Sequence, residues 1–352
     1  MAKKKVDRLV IGGQEILPGE RANIEIPVAP TYTHDTLSIS VQVVRGKLPG
    51  PKLFVCAAIH GDEINGVEII RRLLKNPLVE RLKGTLIAIP IVNIYGFIHH
   101  TRYLPDGRDL NRTFPGSARG SLTGRIAHTF MTEIVANATH GIDLHTGARH
   151  RSNFPQIRAD LDDPQTLAIT EAFGAPLAIN AKIRDGSLRQ CASELGVPVI
   201  LYESCEALRF DEIYIRAGEQ GVINVMRHLG MLRKRRGHNK PPVISQATAW
   251  LRAPESGVLR VLVPLGAEIS KGQVIGFIAD PLGTREVDVV AEHAGIVIGR
   301  TNLPLVYEGD ALFHIASISA KAAWGVDEFH EALEPSEEDI DPADLSSAPI
   351  AG

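Results

Sequence analysis

The segment Ala57-Ala58-Ile59-His60-Gly61-Asp62-Glu63 runs an apolar stretch directly into a histidine and, three residues later, a glutamate. Leu53 to Ile59 reads as a strand of a parallel sheet buried on both faces, and Gly66 to Leu74 reads as a helix. His60 and Glu63 therefore sit on the turn that leaves a buried strand. Imidazole nitrogen and carboxylate oxygen are both good zinc donors. A catalytic zinc takes three protein ligands and keeps a fourth position for water. The pair requires a third donor, and Gly141-Ile142-Asp143-Leu144-His145-Thr146-Gly147 offers His145 at the end of another short strand pattern. One Zn²⁺ per chain, held by His60, Glu63 and His145, is the expectation.

Asp143 lies two residues before His145, where a carboxylate can accept a hydrogen bond from a ligand imidazole. A loop-facing surface aspartate is the plainer alternative. Glu203, in Tyr202-Glu203-Ser204-Cys205-Glu206, ends a third apolar strand. Near a metal-activated water it would serve as general base and then general acid. Taken alone, it reads as a strand terminator or a turn cap. The stretch from Arg102 to Gly116 carries three arginines and Asn111 among turn residues. Guanidinium forks suit carboxylates and developing oxyanions. Arg108 reads as solvated, whereas Leu110 and Phe114 anchor Asn111 and Arg112 in the protein body.

These residues need a scaffold that brings strand ends together. Strands at 53–59, 85–91, 141–144 and 198–202 alternate with helical patterns at 66–74, 123–138, 165–173 and 211–232. That alternation predicts an α/β fold, a mixed and mostly parallel sheet flanked by helices. Ligands of such sheets gather at the carboxyl ends of strands. Residues 6–44 read as a few preceding strands or hairpins. A basic run, Arg233 to Lys240, leads into Pro241-Pro242 and reads as helix-end cations plus a linker. Beyond it Ala253 to Leu259 recurs as Ala291 to Val297, and Lys271-Gly272 recurs as Glu308-Gly309. Two similar β halves predict a smaller C-terminal all-β barrel-sandwich domain. The boundaries are 1–240 for the catalytic unit, 241–320 for the β unit, and 321–352 for an acidic tail expected to be disordered.

A net charge of −3 gives no basic field for nucleic acid or an anionic membrane surface. The apolar stretch from Leu86 to Ile98 contains Pro90 and Asn93 and is too short to span a bilayer. The basic start is not followed by an apolar core, so no export signal is read. Three cysteines without metal spacing fit a reducing cytoplasm. No Gly-rich nucleotide loop and no Gly-x-Ser-x-Gly elbow occurs.

His60-Gly61-Asp62-Glu63, Asp109-Leu110-Asn111-Arg112, Asp143-Leu144-His145 and Glu203, in that order, resemble the succinylglutamate desuccinylase/aspartoacylase family of zinc carboxypeptidase-like hydrolases. The resemblance covers roughly residues 50 to 235, and the C-terminal β region resembles that of bacterial members. It implies a zinc-dependent amidohydrolase acting on a small N-acyl amino acid. His60, Glu63 and His145 would be the ligands and Glu203 the base. Asn111 and Arg112 would bind a substrate carboxylate, and Arg102 would polarise the scissile carbonyl. Seven positions separate Arg102 from Asp109, a longer loop than in the best-known members, which keeps Arg108 open as the alternative. A carboxypeptidase on short peptides and a non-catalytic metal-binding module are the competing functions. The sequence leaves room for a homo-oligomer.

Overall fold

The computed structural model describes residues 8–30, 33–181, 184–234 and 240–318. The tail expected from 321 onward lies outside the described residues. The chain opens with two antiparallel hairpins, β1 (Leu9–Ile11) with β2 (Gln14–Ile16), and β3 (Arg21–Pro30) with β4 (Thr36–Arg45). There follow β5 (Lys52–Ala57), α1 (Asn65–Leu73), β6 (Thr85–Ile89), α2 (Ile94–Ile98), α3 (Leu122–Glu133), β7 (His140–Gly147) and β8 (Arg151–Ala159). Then come α4 (Pro164–Phe173), β9 (Leu177–Asn180), α5 (Leu188–Glu194), β10 (Val199–Glu206) and α6 (Glu212–His228). Every strand and helix expected between 53 and 232 forms, with small shifts at the ends. The elements α2, β8, β9 and α5 were not expected.

The heart of the sheet is parallel, in the order β6–β5–β7–β10. β4 and β3 extend it antiparallel on one side, and β8 pairs antiparallel with β10 on the other. The unbroken apolar run of β5 reflects burial on both faces. Leu53, Val55 and Ala57 face the core formed with α1, α4 and α6, while Phe54 and Cys56 face the core formed with α3 and α5. The same alternation sends Ile142 and Leu144 of β7 to the first side. Asp143 and His145 are thereby sent to the second.

Beyond the linker the described chain is all β: β11 (Val243–Ser245), β12 (Thr248–Arg252), β13 (Gly257–Val261), β14 (Glu268–Ile269), β15 (Val274–Ala279), β16 (Glu286–Val290), β17 (Gly295–Thr301), β18 (Leu305–Val306) and β19 (Ala311–Ala316). The repeat legible in the sequence becomes two antiparallel pairs, β13 with β15 and β17 with β19. In each copy the second strand follows a turn whose glycine, Gly272 or Gly309, has φ 84. A residue with a Cβ rarely adopts that conformation. The two pairs lie in different sheets and share a core that includes Leu259, Ile278, Val297 and Phe313. β17 also pairs with β8, and β11 with β9, so the C-terminal strands continue the central sheet. That sheet counts 13 strands among the described residues.

Helix α1, which follows the candidate ligands, is seated tightly on the sheet. A Cβ at Gly66 would lie 2.6 Å from the Leu144 Cβ and 2.8 Å from the Ala57 Cβ. Gly66→Ala is therefore expected to destabilise the fold by about 1–3 kcal/mol through overpacking. Urea unfolding should show a lower midpoint at unchanged slope. An unshifted midpoint would mean the helix moves off the sheet at no cost.

Candidate active site

Three strand ends build the site. β5 ends in Ala57, and the chain turns through Ala58 in the left-handed region, φ 51. Such a conformation costs a non-glycine residue about 1–3 kcal/mol and persists only where surroundings enforce it. The backbone N–H groups of Val92 and Asn93 enforce it by donating to the Ala57 and Ala58 carbonyls at 3.1 and 2.9 Å. The turn then closes with the Glu63 N–H on the His60 carbonyl, 3.1 Å. His145 needs no such turn, because strand alternation already aims it at the same place. Glu203 stands in register with His145 on one side and with Gln156 on the other. A bulge lies between Glu203 and Glu206, with Cys205 at φ 68.

His60, Glu63 and His145 come together as expected, all buried, with one ligand atom from each within 4.8 Å of the others. The Glu63 carboxylate bridges the histidines: Oε1 lies 2.7 Å from His60 Nδ1, and Oε2 lies 2.7 Å from His145 Nδ1. The outer imidazole nitrogens each meet a further carboxylate. His145 Nε2 is 2.7 Å from Asp143 Oδ2, and His60 Nε2 is 3.1 Å from Asp109 Oδ1. Carboxylates behind ligand imidazoles fix ring orientation and raise basicity. Asp143 thus stands where the sequence reading put it. Asp109 had no assigned role in the sequence, and its partnership with His60 depends on a loop closing over the site.

The charges of the site compensate one another. Burial pushes the Glu63 carboxyl upward, but His60 and His145 outweigh it and hold the group well below the usual carboxylate range. Burial opposes charging of His145, yet Asp143 and Glu63 draw its pKa well above the ordinary value. A donor set of two imidazoles and one ionised carboxylate, oriented from behind and shielded from water, fits a divalent ion.

Arg102 belongs to this centre. Its Nη1 lies 3.2 Å from Glu63 Oε1 and 3.1 Å from His60 Nδ1, and its Nε and Nη2 donate to Asp109 Oδ2 at 3.2 and 2.9 Å. Arg108 is exposed and lies 4.0 Å from Asp106. Asp109 also caps the short turn that follows, accepting the Asn111 N–H at 2.8 Å. Asn111 is buried, and its Oδ1 accepts the Leu188 N–H at the start of α5. Arg112 donates to the Asn111 carbonyl. Burial lowers the Arg112 pKa, and Arg184 and Arg102 add to this against Asp109. The Glu203 carboxylate sits 3.5 Å from Arg158 Nη1. Glu206 is engaged elsewhere, accepting from the His150 N–H and from Asn302. Arg158, Gln156 and Arg189 are further charged or polar groups on this face. Sequence reading missed them because β8 and α5 were not recognised.

A sequence model of the succinylglutamate desuccinylase/aspartoacylase catalytic domain matches residues 49–229. An N-alpha-acetyl-L-2,4-diaminobutyric acid deacetylase of Halomonas elongata is 30% identical over 305 residues, 80% of this chain and 86% of the relative. The chain belongs to the succinylglutamate desuccinylase/aspartoacylase family. A succinylglutamate desuccinylase/aspartoacylase from Rhodobacter sphaeroides superposes with TM-score 0.74 at 26% identity, covering 85% of this chain and 95% of that one. The product-bound ectoine utilization protein EutE (DoeB) from Ruegeria pomeroyi shares the fold, with TM-score 0.75 at 24% identity over 86% and 98% of the two chains. The homologues are deacylases, and family membership supports hydrolase chemistry here. No helix among the described residues is long and apolar enough to cross a membrane.

The Asp109 geometry makes a specific prediction. Asp109→Asn keeps an oxygen for the turn cap but removes the charge behind His60. Divalent-ion affinity, measured by competition with a chelator, should fall about 10–100-fold while the melting temperature without metal changes little. Unchanged affinity would reduce Asp109 to a loop anchor.

Proposed function

We propose that this chain is a zinc-dependent deacylase that hydrolyses the amide bond of a small N-acyl amino acid. The observation that carries the reading is the convergence of His60, Glu63 and His145 with Glu203 in register beside His145. The name of the Halomonas elongata relative, an N-acetyl diamino acid deacetylase, supports N-acyl amino acids as the substrate class. His60, Glu63 and His145 would hold the metal. Bound zinc supplies Lewis acidity at the scissile carbonyl and lowers the pKa of water toward ~7.

This chain's own residues do the rest. Arg112, steadied by Asn111, takes the substrate carboxylate. Arg102, tied down by Asp109, points its Nη1 at the metal-binding atoms, where charge develops on the carbonyl oxygen. Glu203 accepts a proton from the attacking water and passes it to the departing nitrogen. Arg158 Nη1 stands 3.5 Å from that carboxylate. Cys56, Cys191 and Cys205 are buried and free, which supports a reducing, cytoplasmic setting.

Glu203→Gln preserves shape but cannot accept a proton. We expect metal content and melting temperature near those of the parent, with turnover of N-acyl amino acids lowered roughly 10²–10⁴-fold. Near-parental turnover with intact metal would remove Glu203 from the mechanism. Arg112→Ala should cost about 1.5–3 kcal/mol in kcat/KM for substrates that carry the carboxylate. Substrates without it should be nearly unaffected; an equal loss on both would show that Arg112 is not the clamp.

A further inference from the structure

Asp143 is sealed inside the sheet, and one of its oxygens is engaged by His145 Nε2 at 2.7 Å. The other oxygen meets the Cys56 thiol, with Sγ 3.5 Å from Oδ1, and that thiol is its one hydrogen-bond partner among the described residues. The strand register places the two together. β5 and β7 run parallel with Cys56 directly beside Asp143, and β10 sets Leu201 beside it on the other flank. Leu201 has no side-chain donor, so the β5 neighbour decides whether that oxygen is satisfied. A valine at position 56 would continue the apolar run of the strand. It would also leave a carboxylate oxygen unpaired in a dry site, which is costly.

A thiol suits this place for two reasons. It packs as a small apolar group, and Cys56 is fully buried in the core that includes Phe54, Ile87 and Ile89. It also stays protonated, because burial and then the neighbouring Asp143 charge push its pKa well above the ordinary thiol value. The S–H therefore remains a donor, and a carboxylate acceptor strengthens the weak bond that a thiol makes. The path to the site is short and buried at every step: Cys56 to Asp143, Asp143 to His145, and His145 Nδ1 to Glu63.

Resting on the zinc deacylase reading, we propose that Cys56 is a positioning residue for the metal centre. Its thiol fixes the Asp143 carboxylate, which in turn orients His145. Carboxylates behind ligand imidazoles set ring orientation and metal affinity, and Cys56 holds such a carboxylate from the strand next to it.

Zn²⁺ affinity of the full chain, measured by competition with a chelator beside the melting temperature of the metal-free protein, tests this assignment. Cys56→Ala should weaken Zn²⁺ binding about three- to tenfold, the worth of one such hydrogen bond. Cys56→Ser keeps a donor and should stay within about twofold of the parent. In an Asp143→Ala background, Cys56→Ala should weaken binding no further. A role in packing alone predicts the same factor in both backgrounds and no rescue by serine. The hydrogen bond also has a readout that needs no metal. The infrared S–H stretch that disappears on Cys56→Ser should lie at lower frequency than those of Cys191 and Cys205. Zn²⁺ binding untouched by Cys56→Ala, equal weakening by alanine and serine, or an unshifted S–H stretch overturns the inference and leaves the zinc reading in place. A parent chain that takes up no Zn²⁺ overturns the zinc reading and this inference with it.

Discussion

The Glu63 carboxylate is the constraint around which the site is organised. It is buried, and an ionised carboxylate out of water is tolerated only when its oxygens are fully engaged. Oε1 meets His60 and Arg102, while Oε2 meets His145 and the Thr146 N–H. Each of these partners then carries its own demand for a counter-group. His60 and Arg102 both lean on Asp109, and His145 leans on Asp143, whose other oxygen accepts from the Cys56 thiol at 3.5 Å. The result is a network of alternating charge in which removing one member strands another. Such networks rigidify a site because partial satisfaction is worse than none.

The sheet makes this network possible by delivering its members to one edge. Parallel strands bring the exits of β5, β7 and β10 side by side, and the period of two places Asp143, His145 and Glu203 on a common face. Left-handed residues at Ala58 and Cys205 redirect the chain two residues before His60 and two residues after Glu203. The C-terminal strands are bound into the same arrangement. Gln156 reaches from the row of Glu203 to the Ile298 carbonyl at 3.3 Å, and Asn302 fastens to Glu206. The β region is therefore continuous with the sheet that carries the site.

The sequence determined the elements whose pattern is local. The apolar runs of β5, β6, β7 and β10, the helices between them, and the repeated β halves are all legible because periodicity and turn glycines act over a few residues. It also picked out the trio His60, Glu63 and His145, since the first two follow one recognisable strand and His145 ends another. Asp143 was legible for the same reason, two places from His145 on an alternating strand. Only the tertiary structure decided which arginine joins the centre, that Asp109 stands behind His60, and that Arg158 and Arg189 stand near Glu203. These pairings join residues far apart in the chain through loop closure, an antiparallel register and a short helix. None of those leaves a periodic signal. A guanidinium or carboxylate in a loop looks the same in sequence whether it faces solvent or a buried partner, and only packing separates the two.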